Sequence, residues 1–354
     1  MNNLSSHVID LPKRVVIGNS ILGTLGMHLR ELFGHGLHVL VVTGPHVANL
    51  LYPQVRQVLE DSGFSASQVV VTNSGVEEAE RVADEAIRDR VDIVLGLGGG
   101  KSIDLAKYAA AKSGKEMVSV PTAPSHDGIT SPFVSLKGFD RPYSKPAKPP
   151  KLIFLDIDVL ASSPPRLVAA GFGDLIGKYT AVLDWRLAHK LRGEYYGAYA
   201  ASLALMSAKH VSAYAREIGL RKAEGIRALV EALVSSGIAM CIAGSSRPAS
   251  GSEHLFAHAL EMVSRNPPLH GEAVGVGTIM MSYLHGKNWR AIRRLLLAAG
   301  APVNAKQLGV TDDEVVEALT RAASIRPERY TILGERGLTR DAAYELALRT
   351  GVIE

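Results

Sequence analysis

The sequence holds one cysteine in 354 residues, Cys241. A single thiol excludes an internal disulfide and a zinc site built from a thiolate cluster. Thiol scarcity of this kind suits a reducing, cytoplasmic compartment. Any metal site has to be made from histidine and carboxylate. The N-terminus, MNNLSSHVIDLPKRVVIG, lacks a basic start followed by an apolar stretch and a small-residue cleavage site, so no signal peptide is expected. No apolar run is expected to reach bilayer-spanning length. Charge of one sign is missing too: 39 basic against 35 acidic residues leave a formal +4, too small an excess to argue for nucleic acid. Only four glutamines occur, which leans toward a heat-adapted source, where thermolabile amides are scarce. No internal repeat or low-complexity tract is found. The remainder is a globular composition, 47% hydrophobic and 21% charged, long enough for two domains.

The first 160 residues alternate strand-like and helix-like segments. RVVIG (14–18), HVLVVTG (38–44), QVVVT (68–72), DIVLGLGGG (92–100), EMVSVPT (116–122) and KLIFLDIDV (151–159) are short runs rich in Val, Ile and Leu. Such runs fit strands buried on both faces of a parallel sheet. Between them, Val76, Ala79, Val82, Ala83 and Ala86 recur on one helical face. After SSPPR (162–166) strand-like runs nearly vanish and seven helix-like segments follow, with Gly219 and Gly300 near ends and Thr311 and Thr339 near starts. This predicts an α/β Rossmann-like parallel-sheet domain over 1–160 and an all-helical domain over 161–354. The functional site is expected in the cleft between them, at the carboxyl ends of the strands.

LGLGGGKSIDLAK (95–107) runs from a buried strand through glycines directly into a helix. Glycines let the backbone approach a phosphate, and a helix N-terminus offers free N–H groups. Two familiar templates fail here. A P-loop needs glycine where Leu95 stands, and the Gly-x-Gly-x-x-Gly fingerprint needs it where Lys101 stands. The turn therefore reads as a pyrophosphate cradle of neither kind. VPTAPSHDGITSP (120–132) adds Thr122, Ser125, His126, Asp127, Thr130 and Ser131 at the end of the next strand, more hydrogen-bonding groups than a turn needs.

GSEHLFAHALEMVSRNPPLHGE (251–272) carries three histidines. His254 and His258 are four apart and share a helix face, and the Pro267-Pro268 turn can bring His270 back toward them. A catalytic zinc needs one more protein ligand and an open position. Asp174, in GFGDLIGK, is the attractive carboxylate if it opens a helix there, although an N-cap role would explain it equally. Leu255 stands where a His-Glu-x-x-His hydrolase needs glutamate, which argues against a metalloprotease.

Taken in order, GGGKSID, TAPSHDG, GFGD, SGSEHLFAHAL and LHGEAVG resemble the iron-containing alcohol dehydrogenase superfamily, which includes glycerol dehydrogenase and dehydroquinate synthase. The match is closest to its archaeal sn-glycerol-1-phosphate dehydrogenase branch. The resemblance implies the dehydroquinate synthase-like fold. It implies a zinc-dependent reduction of dihydroxyacetone phosphate to sn-glycerol 1-phosphate by NADPH or NADH, for archaeal ether-lipid synthesis. It further implies that Gly100, Lys101, Ser102, Ile103 and Asp104 hold the cofactor pyrophosphate, and that Thr122, Ala123, Pro124, Ser125 and Ser131 line the nicotinamide side. Asp174, His254 and His270 become the zinc ligands, while Asp127 and His258 contact substrate, with either one open as proton donor. A homo-oligomer is implied as well.

Cofactor choice is partly readable without the resemblance. HVLVVTGPHV ends its strand in Thr43-Gly44-Pro45-His46, with no carboxylate to repel a 2′-phosphate, so NADPH is expected alongside NADH. The ligands of the substrate phosphate are not identified by any motif; Arg141, Lys145, Lys148, Lys151 and the start of a C-terminal helix are all open. Three other readings remain: a dehydrogenase of unphosphorylated glycerol or similar polyols, a dehydroquinate synthase-like lyase, and a non-catalytic nucleotide-binding protein with its histidines in the core.

Overall fold

The structure, a computed structural model, describes residues 7–138 and 145–354. Six parallel strands form the main sheet: β1 (Arg14–Gly18), β2 (His38–Thr43), β3 (Ser65–Val70), β4 (Ile93–Gly98), β5 (Glu116–Pro121) and β8 (Leu152–Asp156). Their spatial order is β1-β8-β5-β4-β2-β3. β4 and β8 are buried at every position, as the apolar runs require of strands covered on both faces. The third strand lies earlier than expected, at SASQVV rather than QVVVT. β2 pairs with it from Ser65 onward, and Val71 then bonds only Thr43 O at the sheet's end. A small antiparallel ribbon, β6 (Phe133–Val134) with β7 (Lys145–Pro146), was not expected from sequence.

Chain direction fixes where a ligand can sit. From β2 the chain moves outward to β3, then returns to the other side of β2 as β4 and continues through β5 to β8. The order therefore reverses between β2 and β4, and a crevice opens above their carboxyl ends. β4 ends there in the glycine-rich turn, and β2 ends there in Thr43-Gly44.

From Ile157 onward every described regular element is a helix. Asp156 makes the change: its Oδ1 accepts the N–H groups of Asp158 and Val159, and Oδ2 that of Leu22. Packing is continuous across this point, because Ile153 and Leu155 of β8 share one apolar cluster with Phe172, Leu233 and Leu255. Thr311 and Thr339 do cap helices, each accepting a backbone N–H three residues on. One expectation needs correction. The helix Ala223–Ala243 is long and apolar enough, by length and composition, to cross a membrane. Here most of it is buried within the helical half, where an all-round apolar surface is what a central core helix needs.

Candidate active site

Gly98 ends β4 at φ +153°, a conformation closed to other residues, and Gly99 leads into the helix Gly100–Ser113. Ile103 N–H already bonds Gly99 O, so the amides of Gly100, Lys101 and Ser102 precede the first helical hydrogen bond. The His126 ring lies directly on this turn: a Cβ on Gly100 would fall 1.9 Å from its Nε2. A cavity of about 610 Å³ is lined by this loop, by Gly44–Val47 after β2, by Ser125, Asp127 and Ser131, and by Asp174, His254, His258 and His270.

Not every residue assigned to the cofactor side reaches the cavity. The side chains of Ile103 and Ala123 are buried in the protein, and Thr122, Ala123 and Pro124 do not line the wall. The Asp104 carboxylate lines it but is held internally, by Ser135 N–H at 3.0 Å and Lys107 Nζ at 3.3 Å. These residues shape the loop from behind.

Asp174 does not open a helix. It lies in the last turn of the helix Pro165–Ile176, because Pro165 starts that helix well upstream. His254 and His258 sit on Ser252–Val263, and His270 begins His270–Leu284. What brings Asp174 to His270 is close contact between the first and third of these helices. A Cβ on Gly173 would lie 2.2 Å from Gly271 O, and one on Gly271 would lie 1.9 Å from Ala170 O. Only glycine permits that approach.

One ligand atom from each of Asp174, His254 and His270 falls within a group no wider than 4.8 Å. The ring centroids of His254 and His270 are 5.0 Å apart, and His258 is 5.3 Å from His270. His258 stands beside the group without joining it. Its Nδ1 is buried and has no hydrogen-bond partner. Burial, then His270 and His254, push its imidazole well below the ordinary value, so it is neutral. His270 is lowered to about 3, first by burial and then by His254.

Asp174 is anchored on both oxygens. Oδ2 accepts the Asp127 N–H at 3.0 Å, and Oδ1 is 3.2 Å from Lys178 Nζ and 3.4 Å from His254 Nε2. Burial opposes its charge, but Lys178 and His254 outweigh burial and hold the carboxyl below the usual range. His254 directs Nδ1 to Glu253 Oε1 at 2.9 Å, which leaves Nε2 facing Asp174. Burial opposes charge on His254 as well, and the two carboxylates outweigh it.

Three residues at this site went unnoticed in the sequence. Lys178, with no exposed surface, bridges Asp174 and Asp127, the latter at 2.9 Å. Its position four residues after Asp174 was the available signal. Glu253, also fully buried, adjoins His254 in the chain. Ser236 donates to Asp127 Oδ2 at 2.7 Å from a distant helix, and nothing local announces it.

A glycine cradle at the switch point of a parallel sheet, facing an Asp-His-His group on helices, fits an enzyme that uses a nucleotide cofactor. A family model described as iron-containing alcohol dehydrogenase matches residues 16–164. The chain is 65% identical to a glycerol-1-phosphate dehydrogenase [NAD(P)+] of Aeropyrum pernix, over 99% of both chains. It is 55% identical to the one from Hyperthermus butylicus, over 98% of this chain and 99% of that one. Among solved structures, glycerol dehydrogenase from Schizosaccharomyces pombe superposes with a TM-score of 0.80 at 20% identity, over 98% of this chain and 90% of that one, a likeness of fold. The chain belongs to the glycerol-1-phosphate dehydrogenase family of that superfamily.

Proposed function

We propose that this chain reduces dihydroxyacetone phosphate to sn-glycerol 1-phosphate, the backbone of archaeal ether lipids, using NADPH or NADH and a divalent metal, zinc by its donor set. The observation that carries the reading is the convergence of Asp174, His254 and His270 on a cavity whose opposite wall is the glycine turn. The residues fit such a metal. One carboxylate and two imidazoles leave a coordination position open, and the Glu253–His254 hydrogen bond is the usual support behind a ligating imidazole. With both groups bound, the metal polarises the ketone and the reduced nicotinamide supplies hydride.

The chain's own residues do the remaining work. Gly100, Lys101 and Ser102 offer three free amides at a helix N-terminus to the pyrophosphate. Lys178 and the Asp127 amide keep the Asp174 carboxylate ionised and fixed in orientation. The Asp127 carboxylate is itself committed, since its Oδ2 holds both Ser236 and Lys178. His258 is neutral and its ring lines the cavity beside the donor group. We therefore assign it the product hydroxyl, and Asp127 the positioning of substrate. The family resemblance supports a homo-oligomer.

The test is NAD(P)H oxidation with dihydroxyacetone phosphate and with unphosphorylated dihydroxyacetone, on metal-free and zinc-restored protein. Strong preference for the phosphorylated ketone, with activity returning only on metal addition, is expected. Equal rates with both ketones would shift the reading to a polyol dehydrogenase.

Cofactor choice gives a second expected result. Gly44 lines the cavity, and a side chain there meets no atom within 4 Å. Gly44→Asp should fold normally, since aspartate also suits the N-cap position Gly44 occupies. The added carboxylate should lower kcat/KM for NADPH relative to NADH by about tenfold or more, from repulsion of the 2′-phosphate. An unchanged ratio would place the adenosine end elsewhere.

A further inference from the structure

The helix Gly100–Ser113 begins in the glycine turn and carries Asp104 and Lys107 three residues apart on one face. The Lys107 side chain has no exposed surface and does not line the cavity. Its Nζ donates to Gly128 O at 2.6 Å, to Phe133 O at 2.8 Å and to Asp104 Oδ1 at 3.3 Å, which uses all three of its protons. The other oxygen of Asp104 accepts the Ser135 N–H at 3.0 Å. Two side chains of one helix thus hold the main chain of segment 128–135 at three points.

Asp127 enters that clamped segment directly, and its own N–H holds Asp174 Oδ2. The His126 ring is wedged between the parts: Nδ1 accepts the Gly128 N–H at 2.7 Å, while Nε2 abuts Gly100. Helices of the other half grip the same stretch from the opposite side. Ser236 donates to Asp127 Oδ2. Gly171 and Gly237 press so close that a Cβ would fall 1.8 Å from Pro124 O and 2.6 Å from Thr130 Cβ respectively. Segment 124–135 is therefore the joint between the glycine turn and the metal-bearing helices, and Lys107 fastens it to the turn's own helix. The basic residues beyond the joint are placed differently: Lys145, Lys148 and Lys151 do not line the cavity, and Arg141 lies outside the described residues.

Burying a lysine ammonium costs free energy, and an apolar side chain of similar volume often packs as stably. Stability alone therefore does not call for lysine at this position. What an apolar side chain cannot do is hold two carbonyls at a fixed distance from the helix. Hydride transfer needs its reacting atoms about 3–3.5 Å apart, so the register of cofactor against substrate acts on rate more than on binding. We propose that Lys107 is a positioning residue for that step: it fixes Asp127 relative to the glycine turn, and so the substrate relative to the nicotinamide. It acts through the Gly128 carbonyl and reaches neither ligand itself. This rests on the reading that Asp127 positions the substrate.

The experiment compares wild type with Lys107→Met, Lys107→Gln and Asp127→Asn, each zinc-loaded. It measures single-turnover oxidation of NADPH by dihydroxyacetone phosphate, with and without deuterium at both C4 positions of the cofactor, together with NADPH binding, metal content and melting temperature. Methionine matches the lysine stem but leaves two carbonyls and a carboxylate oxygen without their donor, so a lower melting temperature is expected. The single-turnover rate per folded, metal-loaded chain should fall by about ten- to a hundredfold, the scale of a misplacement of about 1 Å. The slowed rate should show an isotope effect, while NADPH affinity and metal content stay as in wild type. Lys107→Gln can still donate to one carbonyl and should recover part of the rate; if Lys107→Met does not fold, the glutamine variant carries the test with a smaller loss. A lower melting temperature at wild-type rate would make Lys107 a structural brace and overturn the assignment. A slowed rate without an isotope effect would place the loss at another step and overturn it too. So would loss of NADPH or metal in step with the rate, because Lys107 would then support one site rather than the alignment of two. Asp127→Asn should slow turnover by itself; a wild-type rate there would remove the substrate role of Asp127, whatever the Lys107 variants do.

Discussion

Asp174→Asn is expected to leave a folded protein with no stoichiometric metal and about a thousandfold less kcat, as loss of a Lewis acid worth several kcal/mol requires. Asparagine keeps the shape of the side chain. It removes the negative charge that Asp174 brings to two imidazoles and to Lys178. The stability cost is held down because Lys178 keeps Asp127 at 2.9 Å. A buried lysine with no partner at all would cost about 3–5 kcal/mol. A melting temperature only a few degrees below wild type is expected. His258→Ala is the necessary contrast. Its ring is 5.3 Å from that of His270 yet stands outside the donor group, so the variant should bind one metal per chain and still lose turnover. Elemental analysis, kcat and a melting curve on both variants decide the matter. Metal retained in Asp174→Asn would remove the site as drawn, and metal lost in His258→Ala would make His258 a ligand.

The residues of that contrast were legible in the sequence to different degrees. The i, i+4 spacing announced a shared face for His254 and His258, and the helix Ser252–Val263 provides it. It could not say which histidine joins a carboxylate, because that depends on where two other helices cross. Asp174 was found in the right neighbourhood for a wrong local reason. GFGD reads as a helix start, but its glycines are interior residues that permit close packing. The sheet was more transparent. β2, β4, β5 and β8 are buried at all but their first residues at most and carry mainly apolar side chains because both faces are covered, and such runs are hard to misplace. β3 slipped because its first half, Ser65–Ser67, lies on a half-exposed edge strand and carries little apolar pattern.

Gly271→Ala separates packing from chemistry without touching any polar side chain. Intrinsic preference favours the change only weakly: Gly271 is the second residue of its helix, where alanine gains less than the about 1 kcal/mol it has over glycine in a helix interior. Sterics oppose it more strongly. The new Cβ would sit 1.9 Å from Ala170 O and 2.6 Å from Ala170 C, atoms of a helix backbone that cannot rotate aside. The helices Pro165–Ile176 and His270–Leu284 must therefore move apart, and overpacking of that kind costs roughly 3 kcal/mol. The net effect is a loss of about 2–3 kcal/mol and a melting temperature lower by a few degrees. The same displacement draws Asp174 away from His270, since each sits within four residues of the contact. Metal affinity should fall by about tenfold or more, the scale seen when support behind a ligand is disturbed. Gly23→Ala supplies the control: nothing lies within 4 Å of a Cβ there, its backbone has no positive φ, and neither quantity should move. A Gly271→Ala protein with wild-type melting temperature and metal affinity would mean that the two helices are not held together by this contact, and that another feature sets the Asp174–His270 spacing.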